Sequence, residues 1–153
     1  MSYGYDNIMH VGDTILAAAA EAGIDENLCL LDNQSTCNAF IDGKYISNIR
    51  DDPNGQYLRV HCNTGLKQTN KIGDLPGYSD PVWYNPKGTA NILSFGLVQK
   101  NHPVTYNSKD GNEFVIHSTQ RPTFKMTKAG MFYHDMRHLL KNKDAHIMVN
   151  DLH

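Results

Sequence analysis

Leu30-Leu31-Asp32-Asn33-Gln34-Ser35-Thr36 sets one carboxylate directly behind an apolar run, with two hydroxyls close after it. Residues 28–31 form a short apolar strand, so Asp32 stands where a buried strand emerges into a turn. A carboxylate at the edge of a core is either hydrogen-bonded or used in chemistry, because burying it unpaired is costly. Two readings follow from these residues alone. Asp32 closes an Asx-turn on its own backbone, or it is a catalytic acid with Ser35 and Thr36 in support.

Working outward, the chain reads as short strands separated by strong turn signals. Residues 39–41 and 45–46 read as extended pieces around the hairpin-type turn Asp42-Gly43, and Asp51-Asp52-Pro53-Asn54-Gly55 reads as a loop. Tyr57 to Cys62 alternates like a strand, and Asn63-Thr64-Gly65 can turn it back into a return arm, Gln68 to Leu75. Such a glycine-tipped hairpin suits a mobile flap over a cleft. Val82-Trp83-Tyr84 is another strand, and Asn91-Ile92-Leu93-Ser94 leads into one or two helical turns at Phe95 to Lys100. Beyond Pro103 a meander follows, with strands at 104–107, 113–117, 123–126 and 131–133. Short strands at near-regular spacing point to an all-β architecture, a small barrel or closed sheet. The first residues differ: Asp13 can cap a helix from Thr14 to Ala22, and Gly23 is a natural stop.

A length of 153 residues fits one domain, or a small domain with an appended module, and the net charge of −2 gives no reason to expect nucleic-acid binding. No apolar run approaches the ~20 residues of a membrane span, and no signal peptide is expected at the N-terminus. Three cysteines, without a C-x-x-C pair, argue against a disulfide framework and for reducing, intracellular surroundings. Eight histidines are many for this length. His134 and His138, spaced i, i+4 with His146 downstream, would share one helix face, but Asp135 is a poor substitute for the Glu that a zinc-protease motif requires. They read as surface residues, so neither a metal nor a cofactor is expected. His61-Cys62 reads as coincidental, and Trp83 as a core residue rather than a stacking platform.

The order of Asp32 with its hydroxyls, the glycine-tipped hairpin, and Asn91-Ile92-Leu93-Ser94 resembles retropepsins. It is most similar to the protease segment of copia-type retrotransposon Pol polyproteins. Such segments carry apolar-apolar-Asp-Ser/Thr-Gly, a flap, then Val-x-Tyr-x-Pro running into Asn-Leu-Leu-Ser. Here the last elements stand as Val82-Trp83-Tyr84-Asn85-Pro86 and Asn91 to Ser94, the latter ending 62 residues after Asp32. Gly130-Met131-Phe132-Tyr133-His134-Asp135 resembles the end of the β-rich pre-integrase segment that follows the protease in such polyproteins. The resemblance implies an N-terminal helix and linker in residues 1–27, a retropepsin-like closed barrel in 28–101, and a pre-integrase-like meander in 102–153. It implies an aspartic endopeptidase with Asp32 catalytic, Asn33, Gln34, Ser35, Thr36 and Asn91 to Ser94 supporting the catalytic loop, and Cys62, Asn63, Thr64 and Gly65 in the flap.

Asn33 and Gln34 stand where the family has Ser/Thr and Gly, and glycine there permits a close backbone approach. Diatom-type copia elements are similar in carrying an Asp-Asn/Ser-Gln-Ser-Thr variant. Hydrolysis by this route needs two aspartates sharing a proton, one activating water and the other protonating the carbonyl oxygen. Only Asp32 has the required context, so the resemblance implies a homodimer acting on a polypeptide substrate. The implied setting is a cytoplasmic retrotransposon particle, with no membrane or nucleic acid bound. No His-His-Cys-Cys zinc pattern follows, so the integrase proper is not expected. A catalytically inactive β-domain, serving as a folding or assembly module of the polyprotein, is the alternative.

Overall fold

In the computed structural model, the described residues are 7–10, 25–33, 35–62, 65–88, 90–109, 111–127 and 130–140, with backbone alone described at 7–10, 61–62 and 65–67. The expected helix at Thr14 to Ala22 lies outside them.

The Asp32 stretch builds the centre of the sheet. Strand β2 (Leu28–Asp32) is paired along both edges within the sheet and packs a core cluster on each face, so its apolar residues need not alternate. Cys29 and Leu31 enter one core cluster with Phe40, Leu93, Ile116 and Phe124, while Leu30 enters a second with Leu58, Val60 and Ile92.

Beside β2 runs β9 (Asn91–Ser94), parallel to it and wholly buried. Strand β3 (Ala39–Phe40) lies antiparallel on the other edge of β9 through Ala39 and Ile92. A late strand is therefore inserted between two strands that follow one another in sequence. From β3 the sheet continues through β8 (Val82–Tyr84), β7 (Lys71–Asp74) and β4 (Ser47–Asp51). On the far side of β2 it continues through β13 (Phe132–Asp135), β12 (Thr123–Met126), β11 (Glu113–Ile116) and β10 (Val104–Asn107). The expected meander is thus present, and β13 pairs antiparallel with β2, so that residues beyond 102 share a sheet and a core cluster with the Asp32 strand.

The described residues are mostly strands, as the all-β expectation has it, with a short helix, α1 (Phe95–Asn101), where helical turns were expected, and helical turns at 43–45 and 137–140. The expected closed barrel is not found among the described residues. Their ten-stranded sheet is open, with β10 and β4 as its edges. Both edge strands are largely exposed and polar, which blunts them against further pairing.

Three local expectations are corrected. The Asp42-Gly43 hairpin is instead a 3-10 turn at Gly43–Tyr45, because the Asp42 side chain accepts from the Lys44 N–H at 3.0 Å and curls the chain. Residues 47–51, not expected to be regular, form β4 and pair with β7. The expected return arm of the hairpin breaks at Asn70. Strand β6 (Gly65–Thr69) belongs to a separate three-stranded sheet with β5 (Leu58–Cys62) and the unforeseen β1 (Asn7–His10), whereas β7 joins the large sheet. Thr69 makes the crossing: its hydroxyl donates to the Tyr84 carbonyl at 2.8 Å and accepts from the Lys71 N–H at 3.1 Å. The Asp51-to-Gly55 loop is present as expected, with Asp52 Oδ2 accepting from the N–H groups of Asn54 and Gln56 and Gly55 at a positive φ of 69°. Among the described residues no helix is long and apolar enough to cross a membrane.

Candidate active site

Because β2 and β9 are parallel and in register, their C-terminal ends lie side by side. Asp32 is opposite Ser94, and Leu31 opposite Leu93. Asp32 is the last residue of the strand rather than part of the loop, and is half-buried.

A chain of hydrogen bonds fixes the turn that follows. Ser35 is buried, and its Oγ donates to Asp32 Oδ2 at 2.6 Å. The Ser35 carbonyl accepts in turn from Ser94 Oγ at 2.6 Å. Ser94 also caps α1, its Oγ accepting from the Leu97 N–H at 3.3 Å, and its own N–H donates to Asn38 Oδ1 at 2.7 Å. One buried serine therefore ties the Asp32 turn to the junction of β9 and α1. A hydroxyl suits this task because it donates and accepts at once.

Asn91, at the other end of β9, has no exposed surface. Its Nδ2 donates to the Glu26 and Leu28 carbonyls at 2.8 and 3.2 Å, and its Oδ1 accepts from the Ile41 N–H at 2.8 Å. It satisfies backbone groups where β2 begins and β3 ends, which a buried amide must do to offset its desolvation.

Of the residues expected to support the catalytic loop, Ser35, Asn91 and Ser94 make buried hydrogen bonds. Ile92 and Leu93 pack in the second and first core clusters respectively. Asn33 and Thr36 are exposed, the Thr36 hydroxyl lying 3.8 Å from Cys37 Sγ. Gln34 lies outside the described residues. Asn38 was not foreseen. Its signal in the sequence is a lone amide between Cys37 and Ala39, both of which are buried.

The flap expectation corresponds to the β5–β6 hairpin, closed by the pairing of Cys62 with Gly65 around residues 63–64. Asn63 and Thr64 lie outside the described residues. The base of the hairpin carries Leu58 and Val60 into the cluster of Leu30 and Ile92. Asp32, two positions beyond Leu30 on the same strand, belongs by alternation to that same face. Trp83 packs against this cluster as a core residue.

The histidines are arranged otherwise than expected. His134 is on β13 and His138 in the helical turn 137–140, so they share no helix face, yet their Nε2 atoms lie 2.7 Å apart. His146 lies outside the described residues. Among the described residues no group of three or more His, Cys, Asp or Glu side chains is placed to hold a metal ion. Cys29 and Cys37 are buried free thiols, and burial pushes both above the usual thiol range.

Comparison with protein-family models, with curated proteins and with solved structures finds no match to this chain.

Proposed function

We propose that Asp32 is the catalytic carboxylate of a retropepsin-like aspartic endopeptidase that processes a copia-type retrotransposon polyprotein. The observation that carries the reading is the register of β2 on β9. It pairs Asp32 with Ser94, 62 residues away, and joins the two sequence segments on which the resemblance rests. The bond from Ser35 to Asp32 Oδ2 and the hairpin on the same sheet face support it.

One such aspartate per chain requires a second copy, so the active species is a homodimer with Asp32 of each chain at the shared site. Two carboxylates about 3 Å apart do not both ionise; they hold one proton between them and titrate as a pair. The ionised member takes a proton from water as it attacks the scissile carbonyl, and the protonated member donates to the carbonyl oxygen.

The test is cleavage of a polyprotein-derived peptide across acidic to neutral pH by wild type, Asp32→Asn and Gln34→Gly. Wild type cuts, Asp32→Asn falls at least about 100-fold, as for loss of a general acid–base group, and Gln34→Gly cuts as well or better. Activity per chain falls on dilution as dimers dissociate. Background rates for all three proteins overturn the reading. They would leave the inactive folding or assembly module, which Gln34 in the glycine position favours; there the bond from Ser35 to Asp32 merely closes a turn.

A further inference from the structure

The His134–His138 contact lies away from Asp32 and plays no part in the proposed chemistry. His134 sits on β13 directly across from Cys29 of β2, against the ring of Phe124. Its Nδ1 is 2.9 Å from the Thr123 carbonyl, which can only accept, so Nδ1 carries a proton. In the neutral ring Nε2 is then a bare acceptor. It faces His138 Nε2 at 2.7 Å, and His138 must supply the N–H. The gap suits a proton and not a metal: two imidazoles on a tetrahedral ion at about 2.0–2.1 Å stand about 3.3 Å apart.

The pair lines a narrow apolar cleft with about 20 Å³ of free space, together with Cys29, Tyr78, Phe124, Met136 and Leu139. That is room for about one water molecule. Met136 and Leu139 are buried, so the turn 137–140 is held onto the core at this point.

We propose that His134 and His138 form an acid-released latch: one shared proton holds the turn 137–140 over the cleft, and a second proton breaks the contact and frees it.

A proton taken up at His138 Nδ1 leaves Nε2–H in place and the contact intact. A second proton has only His134 Nε2 to occupy. It removes the acceptor and sets two cations face to face. The surroundings oppose that second charge. Burial holds His134 below the usual histidine range, and the charge of His138 lowers it further, whereas the Thr123 carbonyl and Asp135 act the other way.

The other groups around the pair do not compensate it. Asp135 is committed to Arg137, whose Nε lies 3.0 Å from both of its carboxylate oxygens. From β2 the facing group is the Cys29 thiol, and from the loop after β7 the Tyr78 hydroxyl, both kept protonated by burial. From β12 only the Thr123 carbonyl and Phe124 face the pair, since Lys125 is paired with Tyr133 and lies on the opposite side of the sheet. A histidine held low in the closed form favours closure above its usual value of about 6.5 and loses that contribution as pH falls through the lowered one.

The test uses the full chain, with histidine ¹⁵N shifts and amide hydrogen exchange corrected for intrinsic rates. The reporters are the amides of Leu139, bonded to the Met136 carbonyl, and Met136, bonded to the Asn27 carbonyl. As pH falls below the usual histidine range and through the lowered value of His134, protection of both falls severalfold. Strand amides of β2 and β9 stay protected. His138→Gln keeps an N–H donor for His134 but takes no proton, so its acid loss of protection is smaller than in wild type: the charge of His138 is gone while the burial of His134 remains. His138 is exposed, so the variant folds. Independent titration of the two rings at ordinary values overturns the latch. So does an acid response undiminished in His138→Gln, or loss of β2 protection in step with Leu139.

Discussion

Asn91 and Ser94 bracket strand β9, and each joins segments that the chain leaves far apart. Asn91 completes three backbone hydrogen bonds without reaching solvent. Replacing it with Ala would take this partner from two carbonyls and one N–H in a part-buried setting, and a buried group left without a partner costs about 1–3 kcal/mol. Asn91→Ala is therefore expected to lose about 3 kcal/mol in urea unfolding, against about 1–2 for Ser94→Ala, which loses a cap and one bond to the Asp32 turn. A loss below about 1 kcal/mol at Asn91 would show that water or a shifted backbone replaces its bonds. Asn91 was legible as a residue of interest because of the motif around it. Its role was not, since the three groups it satisfies belong to segments 50 to 65 residues away.

Elements were legible in proportion to how locally they are specified. Strands β2, β8 and β9, helix α1 and the meander all announce themselves through apolar runs, alternation or caps. Strand β4 does not: most of its residues are exposed, and it is a strand only because β7 lies beside it. That pairing leans on Gly73, where an added Cβ would stand 2.9 Å from Ile46 Cδ1. Gly73→Ala is expected to destabilise by about 1–3 kcal/mol through overpacking. Shortening the opposing side chain with Ile46→Val removes the offending methyl, so the double mutant should show a favourable coupling of at least about 0.5 kcal/mol. Simple additivity of the two changes would mean that the strand itself moves to make room.

At the scale of the whole molecule, the meander is part of the body that carries Asp32. Strand β13 covers one edge of β2, and Ile116, Phe124 and Met136 fill the cluster that holds Cys29, Leu31 and Phe40. A chain ending at Asn101 would expose that edge together with several fully buried side chains, at about 1.5–3 kcal/mol for each large one. Such a truncation is expected to show no cooperative unfolding transition by circular dichroism, and co-expression with residues 102–153 should restore one. A cooperative transition in the truncated chain alone would show instead that the meander is a separable domain. The expected boundary near residue 101 marks a change in sequence texture, and the sheet runs across it without interruption.

By itself the sequence determined the all-β class, most strand positions, the loop at Asp51 to Gly55 and the emergence of the Leu28 strand into a turn around Asp32. These depend on alternation and turn chemistry within a few residues. It could not determine which strands become neighbours, because an alternating strand specifies the faces it must cover and not the partner that covers them. Only the tertiary structure inserted β9 between β2 and β3, laid β13 on the other edge of β2, and left the large sheet open where a barrel was expected. It also brought two histidines four residues apart into hydrogen-bond contact, since His134 ends on a strand and His138 on the helical turn that follows it. Asp32 shows both limits together: its place at the strand end could be read from local sequence, whereas its neighbour Ser94 was settled by long-range pairing.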